Sequence, residues 1–140
     1  MYLIKRLFQI TVLAFVFTIV SPATTVTATA KRDFNNGTLT GIASYYAAKF
    51  EGRLTATGEV FKQKLFTAAS NLYKLNTWVR VTNLRNGKSV IVRVNDRMHP
   101  NMLKLGRVID LSHTAAKQLG MTGHGLQKVK VEQVPPGTGA

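Results

Sequence analysis

The chain has 140 residues, enough for one domain and too few for two of ordinary size, and at 45% hydrophobic and 18% charged residues it is not a disordered polymer. It carries 19 Lys and Arg against 6 Asp and Glu, a net charge of +13, and no cysteine. Those counts exclude a disulfide scaffold, a thiolate metal site, a cysteine nucleophile and a lipid-modified N-terminal cysteine. Carboxylate chemistry has six side chains to draw on: Asp33, Glu51, Glu59, Asp96, Asp110 and Glu132.

Residues 1–30 have the order of a secretory signal: Lys5 and Arg6, then an uncharged apolar run from Leu7 to Val20, then Ser21-Pro22 and the small residues Ala28-Thr29-Ala30. As a helix those 14 apolar residues reach about 21 Å, short of the roughly 30 Å hydrocarbon core of a bilayer. Cleavage after Ala30 is therefore expected, with no membrane anchor left. Lys5 and Arg6 leave with the signal, so 17 basic residues remain against 6 acids. In an exported protein this charge points away from nucleic acid and toward wall and envelope polyanions, by long-range attraction that salt weakens.

Residues 31–37 are polar and turn-like and are expected to be a disordered lead; residues 135–140 (PPGTGA) read as a flexible tail. Between them the chain reads mostly as strands. Thr38–Tyr46 alternates small and bulky residues, Glu51–Glu59 is a Gly- and Thr-rich loop, and Leu65–Ala69 is a short apolar run. Thr77–Asn83 and Lys88–Asn95 are β-branched runs flanking Asn86-Gly87, a strong hairpin signal. Val108–Leu111 is a further strand. Ser112 then caps a helix over His113–Leu119 that ends at Gly120, and Gln127–Val134 alternates as the last strand. Five or six short strands in about 100 residues suggest a closed barrel, because closure removes exposed edges.

Among the acids, Asp96 ends a row in which Val90, Val92 and Val94 share a strand face. A carboxyl at a dry end of that row suits a general acid, and a turn-forming Asp closing the strand is the alternative. Glu59 follows Gly58 in a loop where glutamate has no conformational reason to be; a solvated loop residue is its plain reading. Asp110, just before Ser112, is expected to cap the helix that follows. Asp33 and Glu132 are set aside. Tyr45, Tyr46, Phe50 and Trp78 are candidates for the floor of a sugar groove, with core packing the alternative for each. His99, His113 and His124 lack a metal-ligand spacing, so neither metal nor cofactor is expected.

The stretches Gly41-Ile-Ala-Ser-Tyr-Tyr46, Phe50–Glu59, Leu65–Ala69, Val79–Arg97 and Gly106–Ser112 occur in unbroken order between about Thr40 and Val131. With them the chain resembles the rare lipoprotein A family, double-psi β-barrels that act as lytic transglycosylases on peptidoglycan. The resemblance implies a mainly β domain over residues 38–134, a six-stranded double-psi β-barrel with one or two short helices. It places the two family acids on Glu59 and Asp96; substrate contacts are expected from Tyr45, Tyr46, Ser70, Asn95, Arg97 and His99. By the same resemblance one carboxylic acid, assigned to Asp96, protonates the bond between N-acetylmuramic acid and N-acetylglucosamine. The muramoyl 6-hydroxyl then closes to a 1,6-anhydro end, the same carboxylate recovers its proton, and Glu59 stabilises charge or orients substrate; the reverse division of the two acids is the alternative. Three positions depart from the family pattern: Ser70 stands for a histidine, Glu51 for another, and Met98-His99-Pro100 for a Gly-Pro. The alternative function is a non-catalytic, expansin-like glycan-binding or wall-loosening barrel, favoured by Ser70. The expected partner is the peptidoglycan glycan strand, the expected state a monomer, and the expected location the periplasm.

Overall fold

A computed structural model of the chain describes residues 32–33 and 37–139, so the export signal expected over residues 1–30 lies outside the described residues. The strands are β1 (Arg32–Asp33), β2 (Thr38–Tyr45), β3 (Thr67–Ala69), β4 (Trp78–Asn83), β5 (Ser89–Asp96), β6 (Arg107–Leu111) and β7 (Gln127–Val134). The helices are α1 (Asn101–Lys104) and α2 (His113–Gln118). Strands β2 to β7 fall where the sequence pattern puts six strands. They are hydrogen-bonded in the order β2–β6–β3–β5–β4–β7, and β7 returns to β2, closing a six-stranded barrel. Two pairs, β2–β6 and β3–β5, are parallel, and the other pairs in the ring are antiparallel.

Two residues of the expected lead, Arg32 and Asp33, form β1. Strand β6 pairs with β2 only from Ile42 onward, which leaves the backbone at the start of β2 open on that side. Arg32 and Asp33 fill it, opposite Leu39 and Thr38. In the expected tail, Thr138 Oγ1 donates to the Pro135 carbonyl at 2.6 Å, and a methyl group added at Gly139 would sit 3.2 Å from Ile91 Cδ1. The apolar outer surface around Ile91 gives it something to pack on.

Alternation builds the barrel interior. Val79 and Val81 of β4, Val90, Val92 and Val94 of β5, and Val129 and Val131 of β7 all point inward and are at most 2% exposed. β-branched side chains suit a pleated strand, and each burial stabilises the fold by about 1.5–3 kcal/mol before its entropic cost. The β4–β5 hairpin turns at Gly87, at φ +73°, as Asn86-Gly87 predicts. Ser112 caps α2 by accepting from the Ala115 N–H, and Gly120, also at φ +73°, follows its end. Buried Asn83 donates to the Leu119 carbonyl at 3.0 Å, tying the hairpin to the end of α2. A second apolar cluster of Tyr46, Phe61, Ala69 and Met98, with Phe50 and Met102 against it, sits apart from the main core. This cluster backs the groove.

Candidate active site

The barrel's register lines up four residues. Ser44 on β2 lies opposite Asp110 on β6, Asp110 opposite Ala69 on β3, and Ala69 opposite Asp96 on β5. Residues paired across neighbouring strands share a face. Beside this row opens a groove of about 600 Å³. Its walls include Tyr45, Tyr46, Phe50, Phe61, Met98 and Met102; its acids are Asp96 and Asp110; its cations are Lys49, Arg53, Arg97 and Arg107, with His99 at the same wall. Lys49 Nζ and the Arg53 guanidinium lie 5.6 and 5.2 Å from the centre of the Phe50 ring. Four full cations against two carboxylates make the cleft positive.

Asp96 is the most thoroughly held acid of the groove. Its Oδ2 accepts from the Tyr46 hydroxyl at 2.7 Å, and its Oδ1 accepts from the backbone N–H of Ala56 at 2.9 Å and of Arg97 at 2.8 Å. Burial and the bond to Asp96 push the Tyr46 phenol well above its ordinary range, so it stays a proton donor to the carboxylate. Asp96 is not a dry continuation of the valine row. The β3–β5 register shifts between Ala68 and Ala69, so Val94 and Asn95 are both buried and Asp96 is turned to the groove wall.

Glu59 is not among the groove residues, contrary to the expectation that both acids face the substrate. Arg93 grips it bidentately, Nη1 to Oε1 and Nη2 to Oε2, both at 2.8 Å, and Asn95 Nδ2 donates to Oε2 at 3.1 Å. The Arg93 bonds, and secondarily Asn95, hold this carboxyl below its usual range. Asn95, expected as a substrate contact, is 3% exposed and tethers Glu59. The segment Thr55–Glu59 is pinned to the end of β5: Glu59 through its side chain, Thr57 N–H to the Asn95 carbonyl at 3.1 Å, and Ala56 N–H to Asp96.

Ser70, also expected as a substrate contact, lies off the groove. It is fully buried, and its hydroxyl donates to the Val108 carbonyl at 2.8 Å and accepts from Leu72 N–H at 3.2 Å. Arg97 reaches the groove, but its guanidinium also holds the 70–73 segment by donating to the Ser70 and Tyr73 carbonyls. Tyr45, Tyr46 and His99 line the groove as expected, and so does Phe50. Trp78 does not; it lines an outer-surface depression with Leu65, Phe66 and Ile91.

The sequence reading missed Asp110. Ser112 does the capping, while Asp110 faces the groove and bonds sideways. The Ser44 hydroxyl donates to Asp110 Oδ1, and Arg107 Nη2 lies 3.3 Å from that same oxygen while its Nε donates to Ser44 at 2.9 Å. An Asp three residues before a helix reads locally as part of its entry, so only the pairing of β2 with β6, Ser44 opposite Asp110, reveals its place at the groove.

A closed six-stranded ring with two parallel pairs, carrying a carboxylate-bearing cleft on one side, is a double-psi β-barrel. The chain belongs to the lytic transglycolase family, whose pattern matches residues 38–131. It is 46% identical over 114 residues to the endolytic peptidoglycan transglycosylase RlpA of Neisseria meningitidis, covering 80% of this chain and 46% of that protein. It is 51% identical over 98 residues to the RlpA of Pseudomonas aeruginosa, covering 70% of this chain and 28% of that one. The chain thus spans less than half the length of these curated relatives. Among solved structures it resembles the expansin of Clavibacter michiganensis (TM-score 0.53, 23% identity, 70% of this chain and 50% of that one). It also resembles the Streptomyces papain inhibitor (TM-score 0.56, 20% identity, 70% and 94%). At those identities the likeness is one of fold.

Proposed function

We propose that this chain is a peptidoglycan lytic transglycosylase that cleaves the bond between N-acetylmuramic acid and N-acetylglucosamine and leaves 1,6-anhydromuramoyl ends. The observation that carries the reading is Asp96, a carboxylate held by three donors on the wall of an aromatic, cation-lined groove, in a chain of the lytic transglycolase family. In this reading Asp96 gives its proton to the glycosidic oxygen. The Tyr46 hydroxyl and the Ala56 and Arg97 N–H groups then stabilise the carboxylate that results, an interaction strongest once the proton has left. Tyr45 and Phe50 offer faces for sugar rings, and Lys49 and Arg53 offer positive charge to the carboxylates that peptidoglycan carries. Glu59 acts at one remove, as a positioning residue that fixes the Thr55–Glu59 segment and through it the Ala56 N–H on Asp96.

The names of the Neisseria and Pseudomonas relatives support the substrate class, and an envelope location follows from it. Export by residues 1–30 into the periplasm, and action as a monomer, belong to the same proposal. The non-catalytic alternative, which rests on Ser70 standing where the family has a histidine, is supported by no groove contact of that side chain, since the Ser70 hydroxyl is buried on the Val108 carbonyl. The test is to incubate residues 31–140 with purified glycan strands and analyse the products by mass spectrometry. 1,6-Anhydromuramoyl ends are expected; retention on insoluble peptidoglycan with no such ends would transfer the assignment to a binding module.

A further inference from the structure

Lytic cleavage moves two protons, one onto the leaving oxygen and one off the muramoyl 6-hydroxyl, and the groove holds two carboxylates. Asp96 and Asp110 flank Ala69 on opposite sides, each paired with it. Two interstrand steps put their Cα atoms roughly 10 Å apart. The gap lies over the smallest side chain that still has a Cβ. Tyr46 stands between the two acids electrically as well, since both Asp96 and Asp110 add to the upward push on its phenol.

The two acids differ in what they leave free. Both oxygens of Asp96 accept hydrogen bonds from the protein. Asp110 is held through Oδ1 alone, by Ser44 and Arg107, and among the described residues nothing donates to its Oδ2. That oxygen is not a sealed, unsatisfied atom, and Asp110 lines the groove. An anchored carboxylate with one open oxygen facing a substrate cleft has the geometry of a base.

Resting on the glycan-cleaving reading above, we propose that Asp110 is a second catalytic carboxylate, which takes the proton of the muramoyl 6-hydroxyl. The C1–O bond to the leaving sugar breaks with its electron pair going to that oxygen, which receives the Asp96 proton. The 6-oxygen bonds to C1, and its proton passes to Asp110 Oδ2. Proton exchange with solvent then returns both side chains to their starting states. Ser44 and Arg107 serve to hold Asp110 by its other oxygen.

The test compares Asp110→Asn and the double variant Arg107→Gln/Asp110→Asn with the unmodified protein, reading kcat for anhydro-end formation, retention on insoluble peptidoglycan and Tm. Loss of a positioned base is worth 10²-fold or more. The proposal expects that fall in kcat in both variants with retention on peptidoglycan unchanged. It is overturned if Asp110→Asn keeps kcat within about threefold of the unmodified protein. It is equally overturned if removing Arg107 as well restores the lost rate, since Asp110 would then only neutralise that guanidinium. Should the single variant not fold, the charge-balanced double variant carries the comparison. If the unmodified protein makes no anhydro ends, the glycan-cleaving reading fails first; if it makes them and the Asp110 variants do too, only this proposal fails.

Discussion

Replacing Glu59 with Gln separates a positioning acid from a working one. The side chain keeps its shape, but an amide NH₂ now faces donors. Of the three bonds that Arg93 and Asn95 make to Glu59, the two to Oε2 lose their acceptor or, with the amide reversed, the one to Oε1 does. The Glu59 side chain is 42% exposed, so solvent screens the ion pair, and the loss amounts to about 1 kcal/mol. For a domain of about 100 residues that lowers Tm by roughly 4 °C. The Glu59 carboxyl is depressed below its ordinary 4.5, so its stabilisation is present above that pH and is lost as pH falls through the native value. The Tm gap between the two proteins therefore closes in acid. Activity falls because the Ala56 N–H is held less firmly on Asp96. Part of a charge-assisted bond of about 1.5–3 kcal/mol is at stake, giving roughly a tenfold loss in kcat. Asp96→Asn removes the acid itself and costs about 10²–10⁴-fold. Arg93→Gln, which never nears the groove, should match Glu59→Gln. The reasoning is refuted if Glu59→Gln is as inactive as Asp96→Asn while Arg93→Gln is fully active, because Glu59 would then work on the substrate directly.

Ser70→Ala should cost about 1–2 kcal/mol in chemical denaturation by stranding the Val108 carbonyl, with kcat for anhydro-end formation essentially unchanged; a large kcat loss would return Ser70 to the groove. Gly41→Ala drives a methyl into Val108 Cγ1 and to 3.1 Å from the Gly106 carbonyl, and overpacking of that kind destabilises by about 1–3 kcal/mol, seen as a Tm drop of several degrees. Burial raises the phenols of Tyr46 and Tyr73 above their ordinary 10.0, so the stability they confer is complete below that pH and declines above it, as the unfolded chain ionises first. Melting curves should show a Tm falling above about pH 10, and the fall should flatten in a Tyr46→Phe/Tyr73→Phe variant.

The barrel was legible because its strands are short alternating runs whose inward positions are nearly all valine, and because Asn86-Gly87 and Ser112…Gly120 mark a turn and a helix in local chemistry. β1 was not legible: what orders Arg32 and Asp33 is the unpaired edge of β2, which exists only once β6 is in place. The site divides the same way. Tyr45, Tyr46, Asp96 and His99, singled out in the sequence, lie along the groove. Asn95, Ser70 and Glu59 lie off the groove, a facing that depends on the register shift at Ala68–Ala69 and on Arg93, a residue distant in sequence that closes on Glu59. Asp110 was hidden by an equally good local explanation. Trp78 shows the limit of reading aromatics: its register on β4 turns it outward.

The central claim is that the Asp96 groove breaks glycan strands by internal closure. Mass spectrometry of strands digested by the unmodified protein and by Asp96→Asn, with retention on insoluble peptidoglycan measured alongside, tests it most directly. The account predicts 1,6-anhydromuramoyl ends from the first, a loss of at least about 10²-fold from the second, and equal retention of both. Reducing ends in place of anhydro ends, or equal product from both proteins, would contradict it.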